Sequence, residues 1–230
     1  MTAISDQLPD IPNDPGPAPG DATDVAATLV PVAVWRLDDR DDDQATTEPG
    51  AGFAARLARR LILVYTRRGD AVVAFDDDPH LHNAAEVAGR SYLAITDTAD
   101  LADLDEIDQP VTLVMWRWPR DATLAAAGAV ADLFTACRLM ASRSACVIAA
   151  VRPDPPTDTL AGHQRMLRTA ARAAGFAHVL HIAALSVPGE GDQFIYHATE
   201  PETTQVSGQI DALGPTLHID LLLFTRQDAR

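Results

Sequence analysis

Six near-continuous apolar runs set the tightest limit on how this chain folds. They are "AVVAF" (71–75), "SYLAIT" (91–96), "VTLVMW" (111–116), "ACVIAAV" (145–151), "AHVLHIAAL" (177–185) and "LHIDLLLFTR" (217–226). Each has strand length, and none shows the regular polar–apolar alternation of a strand with one wet face. Helical patterns lie between most of them. "FAARLARRLILVYT" (53–66) spaces Phe53, Leu57, Leu61 and Val64 at helical intervals, with Arg56, Arg59 and Arg60 on the other side. Strands buried on both faces and separated by helices predict an α/β domain with a doubly wound, mainly parallel sheet. No helix separates the last two long strands, so they are expected to pair antiparallel and give the sheet an antiparallel C-terminal edge.

Local signals place the remaining elements. Residues 1–27 are rich in Pro, Gly and Asp without an apolar period, which predicts a disordered or extended tail ahead of a single domain over 28–230. "TLVPVAVWRL" (28–37) reads as a strand and 38–52 as an acidic, solvated loop. Asp78 is placed to cap a helix whose first residue is Pro79, where the missing N–H costs nothing, and Gly89 stops that helix. A short helix is expected within the acidic segment 97–109, a long one from Asp121 to Met140, and another from Leu160 to Ala174 closed by Gly175. "FIYHAT" (194–199) reads as irregular.

Charge narrows the partners. The net charge is −15, and residues 1–50 carry 11 Asp/Glu against 2 Arg. There is no lysine, so every basic side chain is Arg. Phosphate neutralisation needs a basic footprint, and an acidic chain is a poor candidate for unaided nucleic-acid binding. Cys137 and Cys146 fit no metal or disulfide framework and read as packed, reduced thiols. No basic region followed by an apolar run marks a signal peptide, and no run approaches the roughly 18 residues needed to span a bilayer. The expectation is a cytoplasmic protein without a membrane segment.

The phrases "VYTRRGDAVVAFDDDP" (64–79) and "AGRSYLAIT" (88–96) carry a resemblance. They are similar in register to "YTRPGDLVLDPFAGSGT" and "GRRYVGIE", phrases of the DNA amino-methyltransferases that modify adenine N6 or cytosine N4. "PVAVW" (31–35) and "HIDLLLFTR" (218–226) resemble segments of actinobacterial members, so the likeness spans roughly 28–226. It implies the class I fold of S-adenosylmethionine-dependent methyltransferases. It also assigns cofactor-binding positions to Asp76, Asp77, Asp78, Thr96 and Asp97.

The residues at those positions are altered. The family's loop uses glycines so that backbone can approach the methionine part of the cofactor. Here three aspartates stand in that loop, with side chains in the cofactor's path and charges opposing its carboxylate. Two like charges 4 Å apart repel by about 4 kcal/mol at an effective dielectric of 20, half of the roughly 8 kcal/mol in a micromolar affinity. Where the family has an acid for the ribose hydroxyls this chain has Thr96, and Asp97 is the available substitute. The family's "DPPY"-type motif supplies a polar acceptor and an aromatic that stacks on the flipped base. At that place stand Trp116, Arg117, Trp118, Pro119 and Arg120. The acceptor is missing, while Trp116 and Trp118 share a strand face and, with Pro119, are the candidate catalytic positions.

Other chemistries are weaker. Asp154–Pro155–Pro156 follows the wrong strand and has Thr157 in place of the aromatic, so it reads as a turn. If Pro79 starts a helix, His80 and His82 point to opposite sides, and no metal site is assigned to "DDDPHLH". His163, His178, His181, His197 and His218 show no ligand spacing, and His178 and His181 on a regular strand face opposite ways. No G-x-S-x-G marks a serine hydrolase. The leading reading is a degenerate methyltransferase-like protein with a non-catalytic binding or regulatory role toward a protein partner, its S-adenosylmethionine binding lost or weak. The alternative is an active S-adenosylmethionine-dependent methyltransferase with a diverged site, acting on DNA or a small molecule. A third reading is a Rossmann-type nucleotide binder using Asp97 on a ribose.

Deleting residues 1–27 is expected to leave the melting temperature almost unchanged, because the segment has little apolar surface to pack. Differential scanning calorimetry of full-length and truncated protein checks this, and a large drop identifies an ordered arm.

Overall fold

The computed structural model describes residues 30–38, 53–96, 108–119, 127–153, 159–187, 189, 191–205 and 218–227. The 1–27 segment, most of the acidic loop, the helix expected after Thr96 and the first residues expected of the long helix lie outside them. Eight strands are described: β1 (Val32–Leu37), β2 (Ala71–Ala74), β3 (Ser91–Ala94), β4 (Val111–Trp118), β5 (Cys146–Val151), β6 (Phe176–Ser186), β7 (Gln193–Ile195) and β8 (His218–Arg226). They form one sheet in the order β3-β2-β4-β5-β8-β6-β1-β7. Strands β1 to β6 share one direction, and β7 and β8 run against it. This is the doubly wound, mainly parallel α/β sheet expected from the apolar runs. The antiparallel pairing of the last two long strands is present as β6 with β8, and β7 makes the antiparallel edge. Strand β8 itself lies inside the sheet, between β5 and β6.

Four longer helices cover the two faces: α1 (Ala55–Tyr65), α2 (Pro79–Val87), α3 (Ala127–Met140) and α4 (Leu160–Ala173). A short helical segment over 200–205 also lies between β6 and β8, where none was expected. Helices α1 and α2 pack on Val72, Leu113, Ile148 and Leu221, and α3 and α4 on Val114, Trp116, Val147 and Phe224. Apolar runs were needed because strands β2, β4, β5 and β8 are buried from both sides. The buried stripe of α1 is Leu57, Ala58, Leu61 and Ile62. Val64, placed on that stripe from its spacing, is 42% exposed. At 100° per residue it lies about 90° round from the stripe's centre. Gly89 and Gly175 close α2 and α4 with φ of 71° and 80°, a region that favours glycine. Cys137 and Cys146 are free and buried, and burial pushes the Cys146 thiol up to about 12. No described helix is long and apolar enough to cross a membrane.

Two expectations are corrected. "FIYHAT" is not wholly irregular: Gln193–Ile195 pair with Val34, Trp35 and Arg36 of β1. The strand is too short for a sequence period and is held by tertiary contacts. Phe194 stands edge-on to Trp35 at 5.6 Å, and the Arg60 guanidinium lies 4.0 Å above its ring. His178 and His181 do not face opposite ways. The β6–β8 register shifts between His178 and Leu180, so His178 pairs with Phe224 and His181 with Leu222, on one face. An extra residue at Val179 reverses the parity of everything before it.

The His178 ring lies 5.1 Å from that of Phe224, and its Nε2 donates to the Leu180 carbonyl at 3.1 Å. Burial first, then the neighbouring His181 and Arg168, push its pKa from 6.5 down to about 4. The native state therefore holds it neutral. Its stabilising contribution is full above pH 6.5 and fades as pH falls toward 4. In urea titrations, His178→Phe is expected to reduce the acid sensitivity in this window by about 2 kcal/mol, allowing for the ring's partial exposure.

Candidate functional site

In open parallel sheets, ligands bind beyond the carboxyl ends of the strands where the strand order reverses. Here that reversal falls between β2, whose next strand lies on one side, and β4, which lies on the other. The turn leaving β2 is built from Phe75 to Asp78. Phe75 continues the ladder through its N–H to the Met115 carbonyl at 2.9 Å, and its ring packs edge-on against Trp116 at 6.0 Å. Alternation along the chain then turns Asp76 toward the face that carries α1 and α2.

The three aspartates have different fates. Asp76 reaches across the reversal point: its Oδ2 lies 3.6 Å from Arg117 Nε and accepts from the Arg117 backbone N–H at 3.4 Å. Asp77 is exposed. Asp78 is 2% exposed and is the N-cap of α2, as its spacing to Pro79 predicted. Its Oδ1 accepts from the N–H groups of His80 and Leu81 at 3.0 and 2.9 Å. Its Oδ2 accepts from the Phe53 N–H, just before α1, at 2.8 Å. One carboxylate thus fixes the entrances of two helices.

Tyr92 of β3 completes the turn. Its hydroxyl accepts from the Asp78 N–H at 3.1 Å and donates to the Asp76 carbonyl at 3.4 Å. Burial, opposed by the Asp78 amide bond and aided by the three aspartate charges, pushes its pKa up to about 12. The phenol keeps the proton it donates. The ring also stacks on His82 at 4.9 Å, so His82 serves α2–β3 packing. Thr96 is exposed just past β3, and Asp97 lies outside the described residues. Among the described residues no group of three His, Cys, Asp or Glu side chains could hold a metal ion.

The aromatic candidates on β4 do share a face, and that face is interior. Trp116 and Trp118 are each 1% exposed. Trp116 packs against Phe134 at 5.2 Å, and Trp118 donates its indole N–H to His163 Nδ1 at 3.1 Å. Stacking on a base requires an open ring face, and neither ring has one. Pro119 follows at the strand end, partly exposed, and Asp154 to Thr157 fall outside the described residues.

Two groupings went unseen in the sequence. Buried Asp220 meets His181 Nε2 at 2.6 Å and His218 Nε2 at 3.3 Å on its Oδ1. Burial favours its neutral form, but the short hydrogen bond from His181 and the nearby His218 prevail and hold its pKa below the usual value. His181, His218 and Asp220 come from two strands far apart in the chain, and their meeting depends on the β6–β8 register, which no spacing rule reveals. The second grouping surrounds a cavity of about 50 Å³ between the ends of β1, β5 and β6 and the first turn of α1. Arg152, just past β5, lines it, and the Arg152 Nε is buried without a hydrogen-bond partner.

No family model matches the chain, and no curated protein matches it. Among solved structures it is similar to the 16S rRNA methyltransferase KamB, at 11% identity over 73% of this chain and 93% of that one, with a TM-score of 0.41. It is similar to geranyl diphosphate methyltransferase in complex with SAM, at 12% identity over 80% and 95%, TM-score 0.43. It is also similar to precorrin-6y C5,15-methyltransferase from Geobacter metallireducens GS-15, at 10% identity over 83% and 97%, TM-score 0.45.

The aspartates should separate sharply on substitution. Asp78→Ala removes the α2 cap and leaves the Phe53 N–H unpaired, a loss of about 3 kcal/mol in total. Asp77→Ala should stay within about 0.5 kcal/mol of the wild type. Chemical denaturation of both variants measures the contrast.

Proposed function

We propose that this is a methyltransferase-like α/β protein without catalysis that acts by binding, as a regulatory partner of another protein. On this reading the turn after β2 is a degenerate form of the cofactor loop of the DNA amino-methyltransferases, and 28–230 is one domain behind a tail. The observation that supports it is the commitment of Asp78. The first N–H groups of a helix after β2 are what such a fold offers to an anionic ligand. In this chain His80 and Leu81 already give theirs to the chain's own carboxylate. The Asp76–Arg117 pair spans the strand ends at the reversal point, and the two tryptophans of β4 are core residues.

Replacing glycines by aspartates changes both shape and charge at one stroke. A cofactor carboxylate entering here meets Asp76 and Asp77 instead of free amides, and must displace Asp78 to reach the helix. Displacing it would uncap α2 and release α1. The turn thereby becomes a joint between three elements, and binding falls to another surface. Cys137 and Cys146, free and buried, are in keeping with a cytoplasmic setting.

Calorimetric titration with S-adenosylmethionine and S-adenosylhomocysteine tests the reading. No binding heat is expected up to about 1 mM, a limit equivalent to roughly 4 kcal/mol. Asp76→Asn/Asp77→Gly, which keeps the Asp78 cap, should bind no worse than the wild type. Tight wild-type binding that the double variant loses would make the aspartates ligands and favour an active, diverged methyltransferase.

A further inference from the structure

The cavity beside α1 is unusual for so acidic a chain, because no described residue lining it is acidic. Its apolar wall is Leu37, Phe53 and Leu57, and its polar groups are Arg152, Ser186 and His218, the last lying 3.3 Å from Asp220. Two carboxylates touch lining residues, Asp78 at the Phe53 N–H and Asp220 against His218, and they and the acids of the adjoining loops are engaged with the chain's own groups. Asp38 accepts from the N–H groups of Gly189 and Gly191 at 3.2 and 2.8 Å. Asp192 takes the Arg56 guanidinium at 2.7 Å and the Asp38 N–H at 3.0 Å. Asp76 is on Arg117. Arg152 has no ion-pair partner among the described residues, and its Nε is buried without one.

A second feature meets the same space. Helix α1 begins at Ala54 with no side-chain cap, unlike α2 and α4, which are capped by Asp78 and Thr159. Ala54 and Leu57 line the cavity, so the uncapped first turn borders it. A guanidinium with no counter-ion among the described residues and a first turn with no side-chain cap both favour negative charge, and here they converge. Burying a cation unpaired is unfavourable, and Arg117 nearby adds repulsion to the desolvation of Arg152.

We propose that this cavity is a binding site for a small oxyanion, a carboxylate or phosphate group, held by Arg152 with the α1 first turn and the Ser186 hydroxyl. At about 50 Å³ it has room for roughly three or four water-sized groups, which suits an oxyanion. The site borders the turn after β2 through Phe53, whose N–H Asp78 holds, but no residue of that turn lines it, so the proposal stands whether or not S-adenosylmethionine binds there.

Thermal unfolding of the full chain at fixed ionic strength tests it, with sodium phosphate or sodium acetate replacing part of the sodium chloride. The wild-type melting temperature is expected to rise saturably with one of the two anions, and which one identifies the group. Arg152→Met should melt higher than the wild type in chloride alone, because it removes an unpaired cation, and should lose the response. Ser186→Ala should keep the fold with a weakened response, and Arg59→Met, on the exposed face of α1, should respond fully. A wild type indifferent to both anions overturns the proposal, as does an Arg152→Met protein that responds as the wild type does. Should Arg152→Met fail to fold, the Ser186→Ala and wild-type titrations decide in the same way.

Discussion

The carboxylate of Asp78 organises the end of the sheet on which any ligand would be met. It leaves solvent to take three backbone N–H groups, two from α2 and one from the approach to α1. Each of these donors would otherwise be an unpaired group at a helix entrance. Satisfying all three with one side chain sets the separation of the two helices and the exit angle of β2 together. Tyr92 adds β3 to the same joint by holding both Asp78 N–H and Asp76 C=O. The helices on that face are therefore located by polar geometry at one end as well as by apolar packing along their length.

Electrostatics explains why a chain of net charge −15 can build such an end. The described acids near the strand termini are distributed one by one: Asp76 to Arg117, Asp38 to two glycine amides, Asp192 to Arg56, Asp220 to two histidines. Carboxylates used as backbone acceptors need no cation, so they draw little on the 18 arginines. One consequence is that a cation such as Arg152 can remain without a counter-ion among the described residues.

What the sequence revealed depended on distance along the chain. The cap at Asp78, the proline after it and the stops at Gly89 and Gly175 were legible because each acts within a few residues. The apolar runs fixed the class of sheet because burial on both faces leaves a mark in every strand. The bond from Phe53 to Asp78 spans 25 residues, and the pairing of Asp76 with Arg117 spans 41. Neither has a spacing rule, and both depend on which strands become neighbours. Trp116 and Trp118 show the same limit from another side. Their common face was readable, but which helices cover it was not, and coverage by α3 and α4 decides that they are core. The bulge at Val179 left no trace because it depends on the partner strand's register.

Strand β8 has a consequence for how the sheet holds together. It is the element that joins β5 to β6, and through β6 to β1 and β7. On one side stand β3, β2, β4 and β5, linked by successive crossovers of modest length. On the other, β1 meets β6 across more than 140 residues of chain. Contacts so remote form late, since the intervening chain must first be ordered. The sheet is thus two sub-sheets of unequal locality riveted by one antiparallel strand. Local opening should follow that seam, with amides of β1 and β6 exchanging as one cooperative unit, distinct from those of β2 and β4.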